Sequence, residues 1–205
     1  MLERFRAFWT KLLNPIARLF IKLGISADAV TFVGTLGVCT GALVFFPQGK
    51  LLTGVLFITA FVFSDLIDGH MARVTGKTNR FGAFLDSTLD RIGDGAIFGG
   101  LVLYYAGPGD SRLYLVLSLL CLVMGSVTSY ARAKAEGMGF HAKVGIAERS
   151  DRLVSILVMT GFSAIFDLPI LMEVTLWALA VASTVTVFQR VWTVRQQAYA
   201  EAANS

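Results

Sequence analysis

Ser64 to Arg91 reads SDLIDGHMARVTGKTNRFGAFLDSTLDR, and its meaning turns on four aspartates. Asp65 and Asp68 stand three residues apart, Asp86 and Asp90 four apart, so each pair lines one face of a helix. The first pair ends the charge-free run 51–64, and the second shortly precedes the run 95–109. Carboxylates in lipid-embedded segments are costly, about 2.5–3.5 kcal/mol at a helix centre on insertion scales, and usually mark function. Four of them close together stay ionised only beside compensating cations. Oxygen-only ligands of this kind suit hard divalent ions such as Mg²⁺ or Mn²⁺. The stretch therefore predicts a metal site on two consecutive helices at a membrane.

Outward from this stretch the chain stays apolar. Of its 205 residues 55% are hydrophobic and 16% charged, with mean hydropathy +0.67, whereas soluble domains carry about 25% charged residues. Further charge-free runs lie at 29–49, 113–131, 153–166 and 174–189. A helix needs about 20 residues to cross a bilayer. The runs at 29–49 and 113–131 meet this unaided, and the others do so by taking in flanking polar residues. The runs next to the aspartates reach that length only through the carboxylates, which puts those carboxylates at the interface ends of their helices. The prediction is an all-α integral membrane protein with six transmembrane helices.

Charge tests this topology. With both termini, the segment between the aspartate pairs and the segment 132–152 on one side, that side holds 16 of the 18 Lys and Arg, leaving Lys50 and Arg112 opposite. The positive-inside rule makes the populated side cytoplasmic. The N-terminal stretch LERFRAFWTKLLNPIARLFIKLGIS alternates basic and bulky apolar residues, as an interfacial amphipathic helix kinked near Asn14–Pro15 would. The expected divisions are an amphipathic juxtamembrane helix over 1–24, a six-helix domain over 25–196 and a frayed tail over 197–205. No cleavable signal or internal repeat is evident. Cys39 and Cys121 lie in apolar runs as small packing residues. Gly37-x3-Gly41 and Gly95-x3-Gly99 are small-residue ridges for close helix contact, within the bundle or along a homodimer seam.

Residues 65–90, written Asp65-x2-Asp68-Gly69-x2-Ala72-Arg73-x8-Gly82-x3-Asp86-x3-Asp90, match without departure the signature of the CDP-alcohol phosphotransferases, which this chain resembles throughout its length. The segments SYARAKAEG (129–137), GIAERSDRL (145–153) and FQRV (188–191) resemble more loosely the branch that makes phosphatidylinositol phosphate. The resemblance implies six transmembrane helices with the signature on the second and third. It also implies two Mg²⁺ ions, or Mn²⁺, at Asp65, Asp68, Asp86 and Asp90, with Asp90 as general base. The expected donor is CDP-diacylglycerol, its nucleotide met by Asp28, Ala29, Val30 and Thr31 at the start of the first span and by Gly69, Arg73, Asn79 and Gly82. Glycines let backbone approach a nucleotide closely, and an arginine offers a rigid fork of donors to phosphate.

The acceptor implied is a phosphorylated inositol. Arg152 and Arg190, then Lys134 and Arg132, with Ser129 as a neutral donor, are the candidates to cradle its phosphate. Arg149 is expected to pair with Glu148 or Asp151 instead. Asp94, one turn beyond Asp90, is expected to pair with a nearby basic residue rather than reach the metals. His70 and His141 are expected to take no part. The nearest alternative keeps the chemistry and takes glycerol phosphate, and a cation transporter is the reading from a different class. Transporters place carboxylates near the midplane, often between internal repeats, which does not fit interfacial aspartates. The partners expected are membrane lipids, the two substrates and a second copy of the chain, with no nucleic acid.

Overall fold

The computed structural model describes residues 15, 19–62, 67, 70–71 and 80–204. Its six long helices among the described residues are α1 (Ala27–Thr40), α2 (Leu51–Val62), α3 (Arg80–Ala106), α4 (Arg112–Gly137), α5 (Arg149–Phe166) and α6 (Ile170–Asn204), with no strand among those residues. Each boundary has a local cause. Ser26 caps α1, its hydroxyl accepting from the Ala29 amide at 3.2 Å, and Asp28 in the first turn suits the helix's positive end. After Thr40 the helix relaxes into a π turn, Gly41–Phe45, and a 3₁₀ turn, Phe46–Gln48, closed by Gly49 at φ 74°. Ser111 caps α4. Glu148 and Asp151 form a capping box on α5, each carboxylate accepting from the other's backbone amide. Asp167, left-handed at φ 53°, ends α5.

Among the described residues three helical stretches are long and apolar enough to cross a membrane: Ala27–Gln48, Arg112–Gly137 and Ile170–Ala203. Their outer faces expose Phe32, Val33 and Leu36 on α1, Val116 and Val123 on α4, and Trp177, Val181 and Phe188 on α6. Inside lie Ser118, Thr128, Thr160, Ser183 and Thr186, all at most 1% exposed. Apolar outer faces are what lipid as the solvent favours, and of the inner hydroxyls Thr128 and Thr186 donate to the Met124 and Ala182 carbonyls.

One core joins all six helices, with Val38 from α1, Ala42 and Phe46 from the turns that follow it, Ile58 from α2, Leu101 from α3, Cys121 from α4, Ile156 from α5 and Leu176 from α6. Lipid offers apolar side chains as good a home as the bundle does, so close packing must hold the helices together. Glycine makes that approach possible. A Cβ on Gly100 would stand 2.5 Å from the Ala42 carbonyl oxygen and 3.1 Å from the Phe46 ring, so the π turn after α1 and α3 touch backbone to backbone there. The ridge Gly37-x3-Gly41 packs against Phe61 and Ile58 of α2. The ridge Gly95-x3-Gly99 does not pack this way: at Gly99 a Cβ would meet nothing within 4 Å.

The expected tail differs from the structure. Helix α6 continues through 197–204, as the alanine-rich sequence AYAEAAN favours, and Gln197 has a tertiary partner. Its amide accepts from the His141 N–H at 2.8 Å and donates to the His141 carbonyl at 2.7 Å. The proposed amphipathic segment 1–24 lies largely outside the described residues. Of it, Phe20 and Ile21 pack against Val30 and Met71.

Candidate active site

Asp86 and Asp90 stand one turn apart on α3, Asp86 exposed and Asp90 half-buried. The Asp90 carboxylate meets Arg149 of α5, Nη2 to Oδ1 at 2.9 Å, and Arg91 at 3.8 Å. One turn further, Asp94 accepts from Arg149 Nε at 2.9 Å and faces Arg91 at 3.6 Å and Arg152 at 3.9 Å. Arg149 therefore corrects the sequence expectation. It reaches across to α3 and spans two carboxylates with one fork, while Glu148 and Asp151 are occupied with each other's backbone amides. Asp94 does pair with basic residues, three of them, two from the other side of the site.

Asp65, Asp68, Gly69, Arg73 and Asn79 lie outside the described residues. The other donor-site candidates are placed. Gly82 falls in the first turn of α3. Val38 lies 3.7 Å from a Cβ built on Gly93, and the Ala42 carbonyl 2.5 Å from one built on Gly100, so α1 and α3 run alongside each other in the same direction. Val30 and Thr31 are buried, Ala29 is exposed and Asp28 is intermediate. Ser26 already takes the Ala29 amide, and the Thr31 hydroxyl donates to the Ala27 carbonyl at 3.1 Å.

Beside Asp90 opens a cavity of 490 Å³ whose wall presents five arginines against three carboxylates. It draws Asp90 and Arg91 from α3, Ser129 and Arg132 from α4, Arg149 and Arg152 from α5, and Arg190 from α6. Two of these guanidinium groups are deeply set, Arg152 at 2% exposure and Arg190 at 5%. Backbone carbonyls hold both. Arg152 donates to Ala147 at 3.1 Å and Gly125 at 3.5 Å. Arg190 donates to Val144 at 2.9 Å and to Thr128. Arg132 pairs with Glu136 at 2.8 Å on the more open side. Lys134 departs from the expected cradle: it is exposed and outside the cavity wall, because two residues along a helix turn it about 200° away from Arg132.

The loop between α4 and α5 forms part of this wall, and α6 fastens it there. The Thr186 hydroxyl accepts from the amides of Ile146 and Ala147, each at 3.2 Å, and donates to the Ala182 carbonyl at 2.8 Å. Gly145, at φ 137°, presses so closely on Thr186 that a Cβ would come within 2.3 Å of its methyl group. Sequence reading missed Thr186, whose hydroxyl does nothing distinctive until the loop folds back on it.

A second cleft of 200 Å³ meets the first at Asp90, Arg149 and Ser150. The rest of its lining is mainly apolar, with Gly34 and Val38 of α1, Val62 of α2, Leu89 and Ile97 of α3, and Leu157 of α5. A polar, cationic chamber and an apolar cleft thus share the carboxylate of Asp90.

The donor set fits a hard cation. Asp86 and Asp90 offer oxygen alone on one helix face. Among the described residues no group of three or more ligand-type side chains forms, since Asp65 and Asp68 fall outside them.

Residues 25–188 match the family model for CDP-alcohol phosphatidyltransferase, and the chain belongs to that family. It is a transferase of a membrane-enzyme family. The phosphatidylinositol phosphate synthase of Streptomyces avermitilis is 50% identical, with 100% of this chain and 87% of that protein covered. That of Cutibacterium acnes is 47% identical over 96% of this chain and 98% of its own length. The crystal structure of Mycobacterium tuberculosis phosphatidylinositol phosphate synthase with CDP-DAG bound superposes with a TM-score of 0.85 at 42% identity, covering 90% of this chain and 94% of that one. A second structure of that enzyme, in complex with manganese and citrate, gives 0.85 at 43% identity, covering 89% and 88%.

Proposed function

We propose that the chain transfers the phosphatidyl group of CDP-diacylglycerol to a phosphorylated inositol, giving phosphatidylinositol phosphate and CMP. The observation that carries this reading is the pair of buried guanidinium groups, Arg152 and Arg190, in a chamber that opens onto Asp90. Buried arginines with donors to spare are a site for a phosphate, and an acceptor held there by its phosphate can present a hydroxyl to Asp90.

In this mechanism Arg152, Arg190 and Arg132 grip the acceptor phosphate and Ser129 adds a neutral donor, while Lys134, on the other face of α4, stays outside the grip. Asp90 takes the proton of the attacking hydroxyl. That oxygen bonds to the phosphatidyl phosphorus while the bond to the CMP oxygen breaks. Asp65, Asp68, Asp86 and Asp90 would hold two divalent ions, Mg²⁺ or Mn²⁺, which neutralise pyrophosphate and stabilise charge on the attacking and leaving oxygens. The first turn of α1, Asp28 to Thr31, together with Gly69, Arg73, Asn79 and Gly82, is proposed to hold the CDP group, with diacyl chains in the adjoining apolar cleft.

The setting proposed is the cell membrane, crossed six times, with both termini and the site in the cytoplasm. The lopsided Lys and Arg distribution supports it. Residues 1–24 would lie along the interface as an amphipathic helix, and 25–196 form the catalytic domain. Two copies are proposed to pair along Gly95-x3-Gly99, where Gly99 has open space outside it.

Release of labelled CMP from CDP-diacylglycerol tests the function directly, with inositol phosphate, glycerol phosphate and free inositol as acceptors. Inositol phosphate should be strongly preferred, and chelation of divalent ions should stop the reaction. Faster transfer to glycerol phosphate would replace the acceptor and keep the family chemistry.

A further inference from the structure

Asp94 is 9% exposed on α3, one turn inward of Asp90, and is not among the residues lining the cavity. Three guanidinium groups converge on it. Oδ1 is 2.9 Å from Arg149 Nε, while Oδ2 is 3.6 Å from Arg91 Nε and 3.9 Å from Arg152 Nη2. Arg149 then continues to Asp90, Nη2 to Oδ1, at 2.9 Å. The chain of contacts therefore runs from Asp90 through Arg149 and Asp94 to Arg152, from the proposed base to the proposed phosphate grip. Apart from Asp94, the partners of Arg152 among the described residues are the carbonyls of Ala147 and Gly125. A cation this deeply buried needs an anion nearby, and Asp94 is its one carboxylate within 4 Å among the described residues.

We propose that Asp94 is a positioning residue for the transfer, seating Arg149 against Asp90 and holding Arg152 in place for the acceptor phosphate. The proposal rests on the acceptor reading of the cavity given above. A counter-ion serving only stability would sit anywhere along the buried guanidinium. This one shares its two oxygens between a residue that touches Asp90 and a residue that faces the chamber. Asparagine at this position keeps the shape and loses the charge. Among the described residues Arg149 then has Asp90 alone as a carboxylate partner, and Arg152 loses its anion and with it the restraint on its orientation.

The test is steady-state kinetics on the full-length protein in detergent or vesicles. The acceptor is whichever phosphorylated alcohol the unaltered chain turns over best. A preference for glycerol phosphate would thus sink the inositol assignment and still leave Asp94 to be judged. Asp94→Asn should lower acceptor kcat/KM about tenfold or more, as small misplacements of a gripping group do. Donor KM should stay within about twofold, the tolerance expected of independent sites. Equilibrium binding of the acceptor without donor should weaken in parallel. Asp94→Glu keeps the charge and should recover part of the loss. In an Arg152→Gln background Asp94→Asn should add little, since both act on one grip. Donor and acceptor parameters falling together, equal behaviour of the Asn and Glu variants, or full additivity with Arg152→Gln would each overturn the proposal. Should the Asn variant not accumulate as folded protein, the Glu variant decides alone: a selective rise in acceptor KM supports it, and a uniform or absent change defeats it.

Discussion

The carboxylate pair Asp86/Asp90, which reaches the chamber through Asp90, and the guanidinium pair Arg152/Arg190 in its wall are built in opposite ways. The aspartates are neighbours on a single helix, one turn apart, with Asp86 exposed and the Asp90 side chain 22% exposed. Their relation is set by helix geometry alone. The arginines come from α5 and α6, are almost fully buried, and hang on carbonyls of Ala147, Gly125, Val144 and Thr128. Their relation exists only once the α4–α5 loop is strapped to α6 by Thr186. A locally determined pair can stay open to bind and release ions. An assembled pair gains strength from low dielectric surroundings and needs the rest of the fold to keep it in place.

If this contrast is right, damage to the two pairs will differ in kind. Asp90→Asn and Asp86→Asn should produce the largest effect, a loss of transfer of about 10²-fold or more while the protein still folds, because the chemistry is mainly electrostatic. Residual activity above about a tenth in both would remove the proposed metal clamp. Nucleotide-lipid binding should survive Asp90→Asn better than Asp65→Asn, and equal losses would make Asp90 chiefly a ligand.

Arg190→Gln and Arg152→Gln come next. Each removes a charge-assisted contact worth about 1.5–3 kcal/mol, so acceptor kcat/KM should fall roughly ten- to a hundredfold with donor KM nearly unchanged. A matched rise in donor KM would show that the chamber holds the nucleotide instead.

Arg149→Gln sharpens the comparison, because Arg149 is the link between the two pairs. Its fork is partly exposed, which limits its worth to about 1 kcal/mol, and the expected fall in turnover is about fivefold. No change in kinetics would return Arg149 to the passive surface role its sequence neighbours suggest.

Gly100→Ala should have the least effect on catalysis and act on stability. Its Cβ meets the Ala42 carbonyl at the far end of the bundle, and overpacking of this kind costs about 1–3 kcal/mol. Thermal unfolding in detergent should come earlier, while the folded fraction keeps wild-type KM for both substrates. An altered acceptor KM would tie the distant packing to the site.

Much of the molecule was legible in the chain of letters. The i, i+4 aspartates and the charge-free runs depend on one helix at a time, and a helix carries its own geometry. So the family signature, the all-helical class and the existence of a carboxylate face followed from spacing. Arg152 and Arg190 were singled out as cations where orientation alone asks for fewer. Their burial and their partners were beyond the sequence, since those partners are carbonyls, which every residue has. Arg149 was misread because its sequence neighbours Glu148 and Asp151 are acidic and close, whereas the fold uses both to cap α5 and sends the guanidinium to α3. Lys134 was grouped with Arg132 by proximity along the chain, and the helix turned it to another face. The helix through 197–204 was overlooked because Gln197 has its anchor at His141, 56 residues away.

By itself the sequence determined what repeats within a turn or a span: which stretches are helical and apolar, and where the carboxylates fall on α3. Tertiary structure alone decided which cations are buried, which carboxylate each one meets, and that Asp90, Arg149, Asp94 and Arg152 form one connected series. Helix periodicity is a property of neighbouring residues and can be counted. Pairing across helices depends on register, burial and loop path, and only the packed bundle sets those.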